Sequence, residues 1–368
     1  MMSVRKNIRG LSAFVPGQSI ESLQRELGVE TPIIKLASNE NLYGASQAVY
    51  DEIRRHSTEL HYYPEPSGLV LKKSLVSHHK IDIGTIILGN GSEELLMLAA
   101  MSVVSPGDEV IISEYCFITY SLIAKKVDAK IVYAPCTFWK NDLDIILSKV
   151  TQKTKLVFLA NPRNPTGTIL SKHELVYFLE KLPAHILLIL DEAYYEYVDH
   201  DDYISGISLL SRYENLFVTR TFSKIHGLAS LRIGYGFGTK HFIDEMNKLK
   251  MPFNLGKISL VAAAAAINSH DHIHKSKQLN LQEIKNMKNV FNNIGIEFIM
   301  PNANFITFFT GKHTMPINRF LKKNRVIVRE LSYFNMPDYT RVTIGTNKQN
   351  DIFLSLLLDY VNQAGSIS

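Results

Sequence analysis

The sequence predicts an α/β fold with a largely parallel sheet, followed by a smaller α+β unit. Three observations carry this. Short apolar runs of strand length recur, most of them separated by stretches with helical spacing, as in strand–helix–strand units whose helices cover a sheet. The main runs end in polar or turn residues, the pattern of strands that deliver a binding edge. Around Met251-Pro252-Phe253-Asn254 the alternation stops and a long helical stretch takes over.

In order, the strand candidates are residues 85–88, 110–113, 131–133, 156–160, 186–190, 216–219 and 232–236, which would make a seven-stranded sheet. Gly89-Asn90-Gly91-Ser92 follows the first, Asn161-Pro162-Arg163-Asn164-Pro165 the fourth, Asp191-Glu192 the fifth and Arg220-Thr221-Phe222-Ser223-Lys224 the sixth. In an open parallel sheet ligands collect at the carboxyl ends of the strands, so these four clusters should converge on one site. Beyond residue 254 the alanine run 262–266 reads as helix on propensity alone. A polar helical segment from 270 to about 293 precedes strand candidates at 305–309, 326–329 and 341–344. The expected division is a large binding domain over 31–250 and a small domain over 251–368, with the N-terminal segment 1–30 packing against the small domain.

Composition narrows the class. With 368 residues, 46% hydrophobic and 20% charged, the chain can bury cores for two domains. A net charge of +5 is mild at this length, and no basic stripe interleaved with aromatics argues for nucleic acid. Cys116 and Cys136 lie in different predicted elements and match no metal or redox spacing, so no metal and no disulfide is expected. The first ten residues are basic without an apolar stretch behind them, and no apolar run approaches the roughly eighteen residues of a spanning helix. A cytoplasmic protein without a membrane partner is expected.

Chemistry concentrates at Lys224. A lysine amine can form an imine with an aldehyde cofactor, and the hydroxyls of Thr221 and Ser223 with the guanidinium of Arg232 could hold a phosphate. Pyridoxal 5'-phosphate carries both groups. Ser92, with N-cap character and acidic residues behind it, opens an apolar helix whose free N–H groups suit a phosphate, although an ordinary capped helix looks the same. Asp191 could cap the next element, or face a ring nitrogen and keep it protonated. Asn164 and Tyr194 could donate to a ring oxygen, while an asparagine before proline is also a common turn residue.

Together these motifs resemble the histidinol-phosphate aminotransferase family, class-II aminotransferases of fold type I that use pyridoxal 5'-phosphate. The resemblance runs from about residue 16 to the last helix. Its markers include Lys35-Leu-Ala-Ser-Asn-Glu-Asn41, Tyr63-Pro64, Gly89-Asn-Gly-Ser-Glu93, Asn161-Pro-Arg-Asn-Pro-Thr-Gly167, Asp191-Glu-Ala-Tyr194, Arg220-Thr-Phe-Ser-Lys224, Leu231-Arg-Ile-Gly-Tyr235, Ala303-Asn-Phe305, Val328-Arg329 and Arg341-Val-Thr-Ile-Gly-Thr346.

The resemblance implies that Lys224 carries the cofactor and moves the substrate proton, that Asp191 pairs with the ring nitrogen, and that Asn164 and Tyr194 contact the ring oxygen. It gives the phosphate to Ser92, Glu93, Thr221, Ser223 and Arg232, with Tyr63 reaching in from the other subunit of a homodimer with shared active sites. Phe117 would stack on the ring. Arg341 would clamp the substrate α-carboxylate, and Arg329 its far end, with Asn39 and Phe14 also on the substrate. The implied reaction takes a small-molecule amino donor, L-histidinol phosphate, and a 2-oxo acid acceptor, 2-oxoglutarate. Two positions depart from the family. Phe14 stands where a phosphate-binding tyrosine is common and cannot donate a hydrogen bond, which keeps phenylalanine or tyrosine open as alternative donors. Arg163 stands where asparagine is usual, either as a cation on the phosphate side or as a surface change. A decarboxylase of the same fold would share nearly all the cofactor residues, and an idle binding module would not need Lys224, Asp191 and Arg341 together.

Overall fold

The computed structural model describes residues 2, 4–11 and 17–365. The chain begins with helices α1 (Lys6–Arg9) and α2 (Ile20–Leu27), strand β1 (Ile34–Lys35), and helices α3 (Gln47–His56) and α4 (Leu69–His79). Strand and helix then alternate through β2 (Ile86–Gly89), α5 (Ser92–Val103), β3 (Glu109–Ser113), α6 (Ile118–Lys126) and β4 (Lys130–Ala134). A small hairpin, β5 (Cys136–Thr137) and β6 (Lys140–Asn141), leads to α7 (Leu143–Ser148), β7 (Thr154–Ala160), α8 (Lys172–Lys181), β8 (Leu187–Asp191), β9 (Leu216–Thr221) and β10 (Gly234–Phe237). Helices α9 (Lys240–Leu249), α10 (Lys257–Ile267) and α11 (His270–Asn293) follow. The last part holds β11 (Phe298–Ile299), β12 (Phe305–Phe309), α12 (Thr314–Lys323), β13 (Val326–Ile327), β14 (Arg329–Glu330), β15 (Tyr339–Thr343) and α13 (Asn347–Ala364).

The large sheet has seven strands in the order β2-β10-β9-β8-β7-β3-β4. All neighbours are parallel except β10, which is antiparallel to both β2 and β9. Alternate side chains point to opposite faces. Ile86, Leu88, Val157, Leu159, Leu188 and Leu190 pack with α3, α4, α8 and α10, whereas Ile87, Val110, Ile112, Leu156, Phe158 and Ile189 pack with α5, α6 and α9. Burial on both faces is why these strands read as unbroken apolar runs. The second sheet, β11-β12-β15-β14, is antiparallel, and α11, α12 and α13 cover it through Met287, Phe291, Leu321 and Phe353.

Three packing details bear on the expected division. The change of character at Met251 is not a packing boundary, because Leu260, Ala263 and Ile267 of α10 belong to the large core. The following α11 is shared: Ile273 packs beside Tyr194 and Tyr197 of the large unit, while Met287 and Phe291 lie in the small core. The N-terminal segment also divides. Asn7 Nδ2 donates to the carbonyls of Lys125 and Lys126 at the end of α6, whereas Leu23 of α2 packs against Ile33 and Ile327. Parallel pairing of β1 with β13 then ties the segment leading into the large unit to the small one.

Candidate active site

Because β2, β3, β7, β8 and β9 run the same way, their carboxyl ends open on one edge of the sheet. The antiparallel β10 brings its N-terminal flank, with Arg232, to that same edge. The small unit approaches from above. Between them lies a cavity of about 250 Å3. It is lined by Asn39, Ser92, Glu93, Phe117, Asn164 and Asp191, by Tyr194, Thr221, Ser223, Lys224 and Arg232, and by Arg329 and Arg341. One expected residue, Tyr63, is not among them. Tyr63 is 80% exposed, outside this cavity, with its ring stacked on Phe253 at 4.6 Å. Phe14 lies outside the described residues, although nearby Gly17 lines the cavity, and a β-carbon there would lie 2.8 Å from Arg329 Nη1.

At the floor, Asp191 ends β8. Its Oδ2 accepts from Tyr120 Oη at 2.8 Å, and its Oδ1 from Ala193 N at 3.2 Å and Thr219 Oγ1 at 3.3 Å. All three donors are neutral. Burial pushes the carboxyl up to about 6 despite those hydrogen bonds. A buried carboxylate facing a cavity with only neutral donors suits a cationic ring nitrogen. Behind it Arg220 makes two hydrogen bonds to Glu192 Oε2, at 3.0 and 2.9 Å, tying together the strand ends that carry Asp191 and Lys224.

Lys224 Nζ donates to the Ser38 carbonyl at 3.1 Å and lies 5.5 Å from the centre of the Tyr194 ring. Tyr194 Oη accepts from Asn39 Nδ2 at 2.9 Å, and Tyr194 is itself packed edge-on against Phe305. Phe117 precedes α6 and meets Tyr120 edge-on at 5.7 Å.

The anion-binding end is built from close backbone approaches. Gly91, not Ser92, is the N-cap of α5, with φ 77°, and a β-carbon there would lie 2.6 Å from Arg232 Nη2. Ser92 is therefore the first helical residue, and its side chain makes no cap. At Gly234 a β-carbon would lie 2.6 Å from Ser92 N, so β10 runs directly beneath the helix start. First-turn N–H groups have no acceptor within their helix. Arg232 Nη1 donates to Ser223 Oγ at 3.3 Å, and Nη2 lies 3.8 Å from Glu93 Oε2. Thr221 Oγ1 accepts from Ser223 N at 3.1 Å. Helix dipole, hydroxyls and guanidinium thus converge as a phosphate cradle.

On the small unit, Arg329 and Arg341 are register partners of β14 and β15. Arg341 is buried and donates to Asn164 Oδ1 at 2.5 Å and the Ala37 carbonyl at 2.9 Å, while its Nε has no partner. Burial, with Arg329 adding to it, brings its pKa down to about 10. Neither arginine is in an ion pair among the described residues. The site is thus rich in cations suited to an anionic ligand. These residues fit a phosphorylated aldehyde with a ring nitrogen, together with an acidic substrate. Among the described residues no cluster of three or more His, Cys, Asp or Glu could hold a metal ion.

Arg163 follows neither expectation. It is 1% exposed and points away from the cavity, donating through Nη1 to Cys136 Sγ at 2.7 Å and the Trp139 carbonyl at 3.2 Å. The β5–β6 hairpin folds over its loop and buries it. Sequence reasoning also missed Tyr120, whose signal was its spacing of three from Phe117 at the start of α6. It missed the carbonyls of Ala37 and Ser38 as well, for which residue type carries no signal.

The model of the family "Aminotransferase class I and II" matches residues 31–357. A Pseudomonas fluorescens protein named histidinol-phosphate aminotransferase 2 is 38% identical over 358 residues, 97% of each chain. A Nitrosococcus oceani protein named histidinol-phosphate aminotransferase 1 is 41% identical over 350 residues, covering 95% of this chain and 94% of that one. Among solved structures, histidinol-phosphate aminotransferase from Sinorhizobium meliloti in complex with pyridoxal-5'-phosphate superposes with a TM-score of 0.91 at 26% identity, covering 99% of both chains. Aspartate aminotransferase from Thermus thermophilus shares the fold, with a TM-score of 0.82 at 17% identity over 98% of this chain and all of that one.

Proposed function

The chain belongs to the class I and II aminotransferases, and from that premise we propose that it transfers the amino group of L-histidinol phosphate to 2-oxoglutarate, with pyridoxal 5'-phosphate as cofactor. One observation carries the substrate reading. Arg329 and Arg341 project from paired positions into the cavity that holds Lys224, without an ion-pair partner among the described residues. A dianionic phosphate and a carboxylate are the ligands that two such guanidinium groups select.

When bound, the cofactor supplies an aldehyde that takes up the amino group and a ring that accepts the electron pair released at the substrate Cα. The chain supplies the rest. Arg232, Thr221, Ser223 and the N–H groups at Ser92 and Glu93 hold the phosphate. Asp191 holds a proton at the ring nitrogen, and Tyr120 and Thr219 fix the orientation of its carboxylate. Asn164 and Tyr194 contact the ring oxygen, and Phe117 covers a ring face. The Lys224 amine accepts the proton from the substrate Cα and returns one later in the cycle. Arg341 orients the carboxylate of the acceptor, and Arg329 the phosphate of the donor, with Asn39 flanking.

The enzyme works in the cytoplasm as a homodimer, with Tyr63 of each subunit serving its neighbour's site. Its exposure here, beside the likewise exposed Tyr62 and Leu60, supports that reading. No helix among the described residues is long and apolar enough to cross a membrane. The deciding experiment compares kcat/KM for histidinol phosphate and phenylalanine with 2-oxoglutarate as acceptor. A preference above about tenfold for phenylalanine, roughly 1.4 kcal/mol, overturns the proposed donor.

A further inference from the structure

Arg163 occupies the loop position directly before Asn164, yet its side chain leaves the cavity. Its backbone closes the loop on itself, with its N–H donating to the Thr168 carbonyl at 2.9 Å and its carbonyl accepting from Gly167 N at 2.7 Å. Its guanidinium grips the β5–β6 turn through the Trp139 carbonyl, which also accepts from Thr168 Oγ1 at 3.0 Å. That turn is strained: Phe138 and Trp139, neither of them glycine, have φ of 48° and 63°. The grip holds the Trp139 ring edge-on to Tyr339, with centroids 4.9 Å apart. Tyr339 opens β15 and shares a strand face with Arg341 two residues on. Arg341 in turn donates back to Asn164. The contacts form a closed ring from Arg163 through Trp139, Tyr339 and Arg341 to Asn164, spanning the large and small units.

Stability alone does not favour this arrangement. Arg163 Nε and Nη2 are buried without partners, and a buried guanidinium lacking a carboxylate is costly. We infer that Arg163 is a positioning residue: by holding Trp139 against Tyr339, it sets where Arg341 presents its guanidinium to the carboxylate of the oxo-acid acceptor. The inference rests on the proposed role of Arg341 as the carboxylate contact.

The test uses the cofactor-loaded enzyme and glutarate, a dicarboxylate without the reactive carbonyl, with binding followed by calorimetry. Arg163→Met should bind glutarate at least fivefold more weakly and raise the KM for 2-oxoglutarate by a similar factor. Its kcat should stay within twofold and its melting temperature should not fall. Arg163→Lys, which retains a cationic donor, should recover most of the affinity. Trp139→Leu, which leaves the carbonyl in place but removes the ring contact, should weaken glutarate as Arg163→Met does, and it carries the test if the latter fails to fold. Unchanged glutarate affinity in Arg163→Met and Trp139→Leu, alongside its loss in Arg341→Gln, would overturn the inference and leave the Arg341 assignment standing. A uniform loss of cofactor, glutarate and thermal stability that lysine does not rescue also overturns it, by reducing Arg163 to scaffolding. Retention of glutarate affinity in Arg341→Gln removes the premise instead.

Discussion

Arg329 and Arg341 face each other across an antiparallel strand pair, two like charges at directly opposed positions. Such a pair is unfavourable until an anion lies between them. Arg329→Gln should therefore leave the ligand-free protein as stable or a few tenths of a kcal/mol more stable. With histidinol phosphate it should cost about 1.5–3 kcal/mol of transition-state stabilisation, a roughly 10- to 150-fold fall in kcat/KM, and much less with phenylalanine. Steady-state kinetics with both donors checks this, and equal losses on both would place Arg329 away from the phosphate.

Asp191 provides a pH test of the cofactor-free protein. Its native carboxyl holds its proton up to about pH 6, against an ordinary value of 3.8. Between these values the folded state binds more protons than the unfolded chain, so this group's contribution to stability falls as pH rises through the window and levels off above it. The loss is about 3 kcal/mol. Asp191→Asn should lack it, so its stability relative to wild type should rise by about that amount between pH 4 and 7 in urea unfolding. The same variant with cofactor bound should lose turnover far more than cofactor affinity.

Lys224→Ala should still take up pyridoxal 5'-phosphate, because the phosphate cradle and Asp191 remain. Borohydride should no longer fix the cofactor to the chain, and turnover should fall by several orders of magnitude. Peptide mapping of the reduced wild type checks the assignment, and an adduct on another lysine would remove it.

At Gly91 the left-handed backbone and the adjacent Arg232 both exclude a side chain. Gly91→Ala should push Arg232 out of the cradle at a cost of about 1–3 kcal/mol, raising the cofactor Kd by roughly 5- to 150-fold. Absorbance titration of the cofactor-free variant measures this, and unchanged affinity would mean that the phosphate lies elsewhere.

If Tyr63 serves the neighbouring subunit, mixing inactive Lys224→Ala with inactive Tyr63→Ala should restore part of the activity, because mixed dimers contain one site with both residues intact. Ultracentrifugation should find a dimer, and a monomer under assay conditions would exclude a shared site.

Much of this was legible in the chain because burial and chemistry leave local signatures. All strands of the large sheet but the half-exposed edge strand β4 are buried on both faces and read as apolar runs, and Asp191, Lys224 and Arg232 sat in clusters that a parallel sheet gathers at one edge. What failed depended on tertiary partners. Strands β1 and β11 are two residues long and exist only through their pairing, so periodicity could not show them. Residue type made Ser92 look like a cap, but that role falls to Gly91, whose positive φ residue type alone does not announce. Arg163 looked like a surface or phosphate-side cation because nothing near it in sequence announces the hairpin that buries it. The alanine run marked α10 as helix, but its side of the boundary was decided by where its apolar face finds α3 and α4.

The position of β10 also sets an order of events for a growing chain. Among the described residues strand β2 has β10 as its sole neighbour in the sheet, so it has no place there until residues up to Phe237 have been synthesised. Until then its unpaired N–H and C=O groups and its apolar side chains are unprotected, a window in which nascent chains can pair with each other. Insertion of β10 between β2 and β9 closes that window and, in the same step, brings Arg232 to Gly91 and Ser92. Competence to capture a phosphate thus arrives with completion of the sheet, and slow, non-local strand pairing sets when it does.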